Sequence, residues 1–179
     1  FFYILLKNMN FNYIGKTNIT TLKDKIKKIT EWDKYTFRQK TYDVHRHTRT
    51  IPLIFDEDFR HKNPTYHFDY KLYKNEINKF KNIFLKKFGK GYIIRALLVN
   101  LKSQKSIPDH IDNSPSLDIC KRIHIPIITN NKVFFNVGGE RINLKKGEMW
   151  EINNTKKTHA VENNSRFDRV HLIIDWVTE

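Results

Sequence analysis

The chain has 179 residues, which is enough for one domain with a hydrophobic core and too few for two domains of ordinary size. Hydrophobic residues make up 39% of the chain and aromatic residues 13%, and this composition excludes a disordered protein. The one cysteine, Cys120, excludes an internal disulfide and a cysteine-based metal site, and it favours a reducing, cytoplasmic location. No run approaches the roughly 18 apolar residues of a transmembrane helix, so we expect no membrane partner.

The formal net charge of +14 suggests a nucleic-acid partner. However, 24 of the 33 basic residues are lysines, and they disperse along predicted helix faces, as in Lys23–Lys28. We therefore favour a solvated surface as the explanation of the charge. Nucleic acid stays a possible partner that is not favoured, and the sequence leaves the oligomeric state open.

The N-terminal part of the chain mixes predicted strands and helices. The apolar run Phe1–Leu6 predicts a first strand, and residues 21–29 predict a short basic helix. Residues 35–55 carry aromatic and β-branched residues in alternation, which predicts strand structure that ends in Ile51–Phe55.

The clearest helix is predicted for Lys71–Phe88. Asp69 is placed to cap its start, and Gly89 follows its end. Its apolar residues recur at spacings of three and four, as one buried face requires: Tyr73, Ile77, Phe80, Phe84 and Phe88.

From Gly91 onward the chain predicts short antiparallel strands, with Gly138-Gly139 as a two-residue hairpin turn. This pattern predicts a mainly β fold with flanking helices, a double-stranded β-helix of the jelly-roll or cupin-like kind. We expect a single domain in which residues 1–90 support a core of residues 91–179, although a plain β-sandwich is an alternative. The predicted strands are residues 92–101, 107–112, 119–128, 132–137, 140–144, 148–153, 157–163 and 168–177.

A possible metal site lies in His110-Ile111-Asp112. Residues two apart in a strand point to the same side, so the imidazole and the carboxylate face one point. His159, in a later strand, supplies a second imidazole. Two histidines and one carboxylate are the ligand set of non-haem Fe(II) oxygenases, because they leave positions open for O₂ and a cosubstrate.

The His-x-Asp pattern alone is weak, because the chain contains a second one at His67-Phe68-Asp69. That pair precedes the Lys71–Phe88 helix, where Asp69 has a capping role, and no partner histidine follows it. We also interpret His45, His47 and His61 as surface or substrate-side residues.

Arg169 follows His159 by ten residues. A turn near Asn163–Ser165 would fold its strand back beside the His159 strand and place the guanidinium on the same face, deeper in the barrel. A guanidinium binds a carboxylate through two parallel hydrogen bonds, and 2-oxoglutarate needs such a cation for the carboxylate that does not chelate iron. The alternative is a salt bridge at a strand edge.

Arg122 and His124 share one face of a strand whose other face is aliphatic. Polar side chains are costly in a dry core, so this face either lines a polar pocket or meets solvent.

The second half of the chain resembles the aspartyl/asparaginyl β-hydroxylase family, and within it the branch with small bacterial proline hydroxylases. The resemblance implies that His110, Asp112 and His159 are the iron ligands. It also implies that Arg169 binds the carboxylate of 2-oxoglutarate, that His124 contacts the cosubstrate, and that Arg122 faces cosubstrate or substrate. It rests on the segments Arg95–Leu98, Ile107–Asp112, Arg122–Pro126, Gly147–Trp150, Asn153-Asn154, His159–Asn163 and Arg169–Asp175.

The sequence thus predicts a dioxygenase that uses Fe(II), 2-oxoglutarate and O₂, with His110, Asp112 and His159 as the catalytic metal centre. The expected substrate is an Asp, Asn or Pro side chain, free or in a protein. Alternatives are a non-catalytic cupin-like binding module and a nucleic-acid-directed oxygenase. Cations for a substrate carboxylate are expected from Arg49, Arg95, Arg122 and the segment His45-Arg46-His47, while Asn153 or Asn154 either supports the His159 loop or makes a turn.

Overall fold

The computed structural model of the protein describes residues 9–179, and the predicted first strand at Phe1–Leu6 lies outside them. The described residues form eleven strands and four helices. The strands are β1 (Phe11–Lys16), β2 (Thr48–Phe55), β3 (Thr65–Tyr66), β4 (Gly91–Leu101), β5 (Lys105–His110), β6 (Cys120–Ile128), β7 (Val133–Val137), β8 (Glu140–Ile142), β9 (Glu148–Ile152), β10 (His159–Asn163) and β11 (Arg169–Thr178). The helices are α1 (Thr20–Lys27), α2 (Phe37–Thr41), α3 (Tyr70–Phe88) and α4 (Pro115–Ile119).

Two antiparallel sheets build the mainly β fold that the sequence predicts, and it is consistent with a double-stranded β-helix. The major sheet has the strand order β1-β9-β6-β11-β4-β2-β3, and the minor sheet has the order β5-β10-β7-β8. The eight strands predicted after Gly91 are all present with small shifts of their ends. Gly138 and Gly139 join β7 to β8 with φ of 56° and 84°, the left-handed backbone that this hairpin turn requires. That the chain forms a single domain stays a prediction.

Helix α3 covers the outer face of the major sheet. Its predicted apolar stripe is buried there, and the rings of Phe84 and Trp176 pack edge to face with centroids 5.9 Å apart. Alternate residues of the central strands, such as Leu98 and Leu172, point into this outer core. The intervening residues face the space between the two sheets, so side chains that would be costly in the outer core collect on the inner face. No helix in residues 9–179 is long and apolar enough to cross a membrane.

Two local predictions are wrong. Residues 35–47 do not form a strand but contain α2 and a 3₁₀ helix at Asp43–His45. Strand β2 pairs with β4 along most of its length and with β3 only at Ile54 and Phe55, and residues 35–47 form no ladder with the rest of its edge. Asp69 stands at the N-terminal boundary of α3 without a side-chain capping hydrogen bond, because its carboxylate accepts the Tyr35 hydroxyl at 3.0 Å instead.

Candidate active site

The structure brings His110, Asp112 and His159 together. His110 ends β5, and His159 begins β10 directly opposite it, so that their rings lie 4.1 Å apart. Asp112 Oδ1 lies 3.7 Å from His110 Nε2, and Asp112 Oδ2 lies 3.9 Å from His159 Nε2. One donor atom from each residue falls within 4.8 Å of the others, and within residues 9–179 this is the one cluster of three such side chains able to hold a metal ion.

Both imidazoles turn Nε2 toward the Asp112 carboxylate, where a metal would bind. The Nδ1 atom of His110 lies 2.8 Å from the carbonyl oxygen of Pro108. A carbonyl only accepts, so the Nδ1 proton is donated to it and Nε2 keeps its lone pair. Burial lowers the pKa of His159 to about 4, against the opposing attraction of Asp112, so its imidazole is neutral at physiological pH.

Two neighbours orient the Asp112 carboxylate. Asn154 donates its side-chain amide to Asp112 Oδ2 at 2.8 Å and accepts the Asp112 backbone N–H at 3.0 Å. The Arg122 guanidinium also donates to Oδ2. Burial raises the pKa of Asp112, but the charge of Arg122 and the other donors outweigh it and hold this pKa below its usual range. Asn154 therefore supports Asp112. The sequence had predicted that Asn153 or Asn154 either supports the His159 loop or makes a turn.

A chain of buried charges continues from Asp112 into the barrel. Arg122 binds Asp175 through Nε and Nη2, both at 2.8 Å. Asp175 lies 3.7 Å from Arg95, which in turn lies 3.5 Å from Asp56. Because removing charges from water costs several kcal/mol per ion, this alternation of sign is what permits their burial. Arg122 and Arg95 are thus engaged with carboxylates, and a contact of Arg122 with cosubstrate stays a prediction.

Arg169 lies deep in the cavity that also contains His110, Asp112 and His159. These three side chains are called the metal cluster below, and their cavity the metal cavity. Its side chain is 1% exposed, and its guanidinium lies 5.0 Å from the centroid of the Phe135 ring. Burial lowers the pKa of Arg169 to about 9, so the group stays charged at neutral pH. Its Nε and Nη1 atoms have no hydrogen-bond partner in the part of the chain that the structure describes. A buried cation with free donors fits an anionic ligand.

His124 and His171 flank this cation. His124 lines the metal cavity, and its ring lies 5.1 Å from that of Phe135. Its strand face therefore lines a polar pocket, which is one of the two alternatives predicted from the sequence. His171 stacks on the same Phe135 ring at 5.3 Å. Burial, aided by the charge of Arg169, lowers the pKa of both histidines well below the usual range. His171 shares the inner face of β11 with Arg169, but no role was predicted for it from the sequence.

The cavity that joins the metal cluster to Arg169 measures about 40 Å³, close to the volume of one or two water molecules.

Two cavity residues come from the segment that was wrongly predicted as a strand. Arg38 Nη2 lies 2.7 Å from His45 Nε2, and the His45 ring meets the His110 ring edge to face at 5.8 Å. Burial and the neighbouring charge of Arg38 lower the pKa of His45 to about 2, so His45 is neutral and accepts the bond through Nε2. Arg38 was not predicted from the sequence, because its segment alternates like a strand and this pattern does not reveal the short helices that bring it to the cavity.

The other predicted substrate cations lie elsewhere. Arg49 pairs with Asp168, and Arg46 is exposed and pairs with Asp43 at 2.8 Å. Neither lines the metal cavity. His67 lies 3.3 Å from Glu57, away from the metal cluster, in agreement with the interpretation of its motif as non-metal.

The fold and the cluster of two histidines and one aspartate define a hydroxylase-type enzyme of the 2-oxoglutarate/Fe(II) oxygenase class. The chain belongs to the aspartyl/asparaginyl beta-hydroxylase family, whose model matches residues 71–179. That match includes α3 and every strand from β4 onward, so it is longer than the resemblance noted in the sequence. No curated protein matches the chain in sequence.

Several solved structures share the fold of this chain. A Pseudomonas putida prolyl-4-hydroxylase matches with a TM-score of 0.56 at 8% identity, over 97% of this chain and 95% of its own. The non-heme monooxygenase ThoJ, in a nickel complex, gives 0.56 at 11% identity, over 97% and 75%. A 2OG-Fe(II) oxygenase family oxidoreductase from Burkholderia pseudomallei gives 0.55 at 15% identity, over 73% of this chain and 66% of its own. At these identities the likeness concerns the fold.

Proposed function

We propose that the protein hydroxylates an amino-acid side chain, free or within a protein, and couples this to decarboxylation of 2-oxoglutarate to succinate. His110, Asp112 and His159 would bind Fe(II) through two imidazole nitrogens and one carboxylate oxygen, which leaves coordination positions open. When bound, the iron supplies the activation of O₂ and 2-oxoglutarate supplies the reducing electrons.

The observation that carries the proposal is the buried Arg169 guanidinium with free donors in the cavity of the metal cluster. A non-catalytic metal-binding barrel has no need of a buried cation there, whereas a dicarboxylate cosubstrate does. Arg169 would bind the distal carboxylate, and His124, in the same cavity, would contact the cosubstrate as a neutral imidazole. Arg122 and Asn154 hold Asp112 in place, so the ligand oxygen is positioned before the metal binds.

The metal and cosubstrate assignments are tested by anaerobic titration with Fe(II) and 2-oxoglutarate. The wild-type protein is expected to give the weak visible charge-transfer band of the iron–2-oxoglutarate chelate. His159→Ala is expected to abolish the band, and His47→Ala, a histidine outside the metal cavity, to keep it. Absence of the band in the wild type, or its persistence in His159→Ala, would contradict the proposal.

The substrate class is tested by succinate release in the presence of free amino acids, peptides and oligonucleotides. We expect amino acids or peptides to stimulate turnover above the uncoupled rate. Stimulation by oligonucleotides alone would favour the nucleic-acid-directed oxygenase.

A further inference from the structure

A second, larger cavity adjoins the metal cavity and has no role in the function proposed above. It measures about 410 Å³, which falls within the range of roughly 300–1,000 Å³ that is usual for small-molecule sites. It lies against the inner face of β2 beside α2. Six of its eleven lining residues are aromatic or aliphatic: Tyr35, Phe37, Pro52, Phe55, Phe59 and Leu97. The other five are polar or charged, and among them Glu57 is paired with His67 at 3.3 Å.

The two cavities are neighbours. Arg38 lines both of them. Leu97, in the wall of the larger cavity, packs with Val99 and Ile173, which line the metal cavity. Arg38 is joined to the metal cluster through one side chain, because His45 accepts its hydrogen bond and contacts His110. A molecule in the larger cavity therefore lies next to the Arg38–His45 pair, which contacts the metal cluster at His110.

The polar groups where the two cavities meet are of a kind that recognises a carboxylate. Arg38 forms no ion pair with any carboxylate in residues 9–179, unlike Arg95 and Arg122. Gln39 Oε1 and Thr50 Oγ1 line the larger cavity, and both are buried without a hydrogen-bond partner among the described residues. An anionic group thus meets a cation at Arg38, and an N–H or O–H donor meets two free acceptors beside it.

The aromatic wall is held in a fixed position. The Arg95 guanidinium lies against the rings of both Phe55 and Phe59, at 5.3 and 5.1 Å from their centroids, and the two rings meet edge to face at 6.3 Å. Arg95 is itself held by Asp56 and Asp175 in the buried chain of charges. A wall anchored in this way gives the cavity a set shape for a hydrocarbon group.

We propose that the larger cavity binds the body of the substrate, and that the substrate is a carboxylic acid or amino acid with a bulky aromatic or branched hydrocarbon side chain. Its carboxylate binds Arg38, and its apolar group fills the space between Phe37 and Phe59. The assignment of this ligand as the substrate rests on the proposed hydroxylase function. Small polar side chains such as that of aspartate leave most of 410 Å³ of apolar space unfilled.

Calorimetric binding to the metal-free protein tests the proposal without turnover. The probes are 3-phenylpropionate, its alcohol 3-phenylpropanol, L-aspartate and L-proline. We expect 3-phenylpropionate to bind at least about tenfold more tightly than 3-phenylpropanol, since a hydrogen bond to a charged group contributes roughly 1.5–3 kcal/mol. We expect a similar margin over aspartate and proline, which carry a carboxylate but bury less apolar surface. Equal or tighter binding of aspartate or proline, or no binding of 3-phenylpropionate, would overturn the proposal.

Single substitutions test whether the probes bind in the larger cavity. Arg38→Gln is expected to weaken 3-phenylpropionate binding at least about tenfold and to leave 3-phenylpropanol unchanged. Phe37→Ala, at a position 64% exposed, removes apolar contact without cost to the core and should weaken both probes. Arg46→Gln, a nearby exposed arginine, is the matched control and should change neither. An unchanged affinity in Arg38→Gln would overturn the proposal.

The binding measurements and the iron–2-oxoglutarate titration test the two proposals separately. Probe binding that survives while the iron–2-oxoglutarate band is absent would contradict the hydroxylase proposal and leave the binding site standing. A normal band without probe binding would contradict the binding site alone.

Discussion

At the scale of single residues, the site combines three possible metal ligands, His110, Asp112 and His159, with the buried cation of Arg169. The charge of Asp112 is matched by Arg122, whereas Arg169 has no anionic neighbour within hydrogen-bonding reach in residues 9–179. This asymmetry suggests that the two parts bind different ligands, and each part is testable by a single substitution.

Arg169→Gln is expected to raise the KM for 2-oxoglutarate at least about tenfold and to leave Fe(II) affinity unchanged, because it removes the charge without touching the metal cluster. Steady-state kinetics and an Fe(II) titration measure the two effects. Arg166→Gln, an exposed arginine three residues away, is the control. An unchanged KM would argue that the distal carboxylate binds elsewhere.

Asn154→Ala is expected to weaken Fe(II) binding by roughly 10–100-fold, the usual effect of removing a group that orients a metal ligand. The variant loses the amide donor to Asp112 but keeps the backbone carbonyl that holds the Asp112 N–H. Asn164→Ala, at an exposed position, should bind Fe(II) normally. Equal affinities in the two variants would mean that Arg122 alone suffices to orient the carboxylate.

At the scale of elements, β6, β11 and β4 are joined twice, by their backbone ladders and by the side chains of Arg122, Asp175 and Arg95. Asp175, which is fully buried between the two arginines, lies at the middle of this chain. The same chain connects a metal ligand to the aromatic wall of the larger cavity, so stability and site geometry depend on the same side chains.

Asp175→Asn is expected to lower the free energy of unfolding by about 3–5 kcal/mol, because it leaves buried positive charge uncompensated. Urea unfolding followed by circular dichroism measures the change. Glu179→Gln, which breaks only the exposed ion pair with Lys90, should change the free energy of unfolding far less. A small effect of Asp175→Asn would show that water reaches the two arginines.

At the scale of the whole molecule, the interior holds four histidines with lowered pKa values. Burial lowers the pKa of His45 to about 2 and that of His159 to about 4, and it lowers those of His124 and His171 well below the usual range. In the unfolded chain these groups titrate near pH 6.5. Below that pH the unfolded state binds protons that the folded state does not, so acid favours unfolding.

The free energy of unfolding of the metal-free protein is therefore expected to fall as the pH is lowered from about 6.5 to about 4. Each histidine contributes a slope of up to about 1.4 kcal/mol per pH unit. Urea midpoints at pH 7, 6 and 5, with a chelator present, measure the trend. His171→Phe should reduce the slope by one proton, and equal midpoints at pH 7 and pH 5 would contradict the expectation.

The sequence by itself determined the strands after Gly91 and the positions of His110, Asp112, His159 and Arg169. Alternation of side chains along a strand and turn residues such as Gly138-Gly139 are local properties, so they are readable without the fold. The pairing of His159 opposite His110 then follows from the antiparallel register of β10 and β5.

Only the tertiary structure decided the rest of the site. Residues 35–47 alternate like a strand, but they fold into short helices that place Arg38 and His45 in the cavity. Arg122 is bound to Asp175, a residue fifty-three positions away, and Asp69 is bound by Tyr35 in place of a helix cap. These partners are distant in sequence, and the choice among competing partners is made by burial and charge, which no local pattern records.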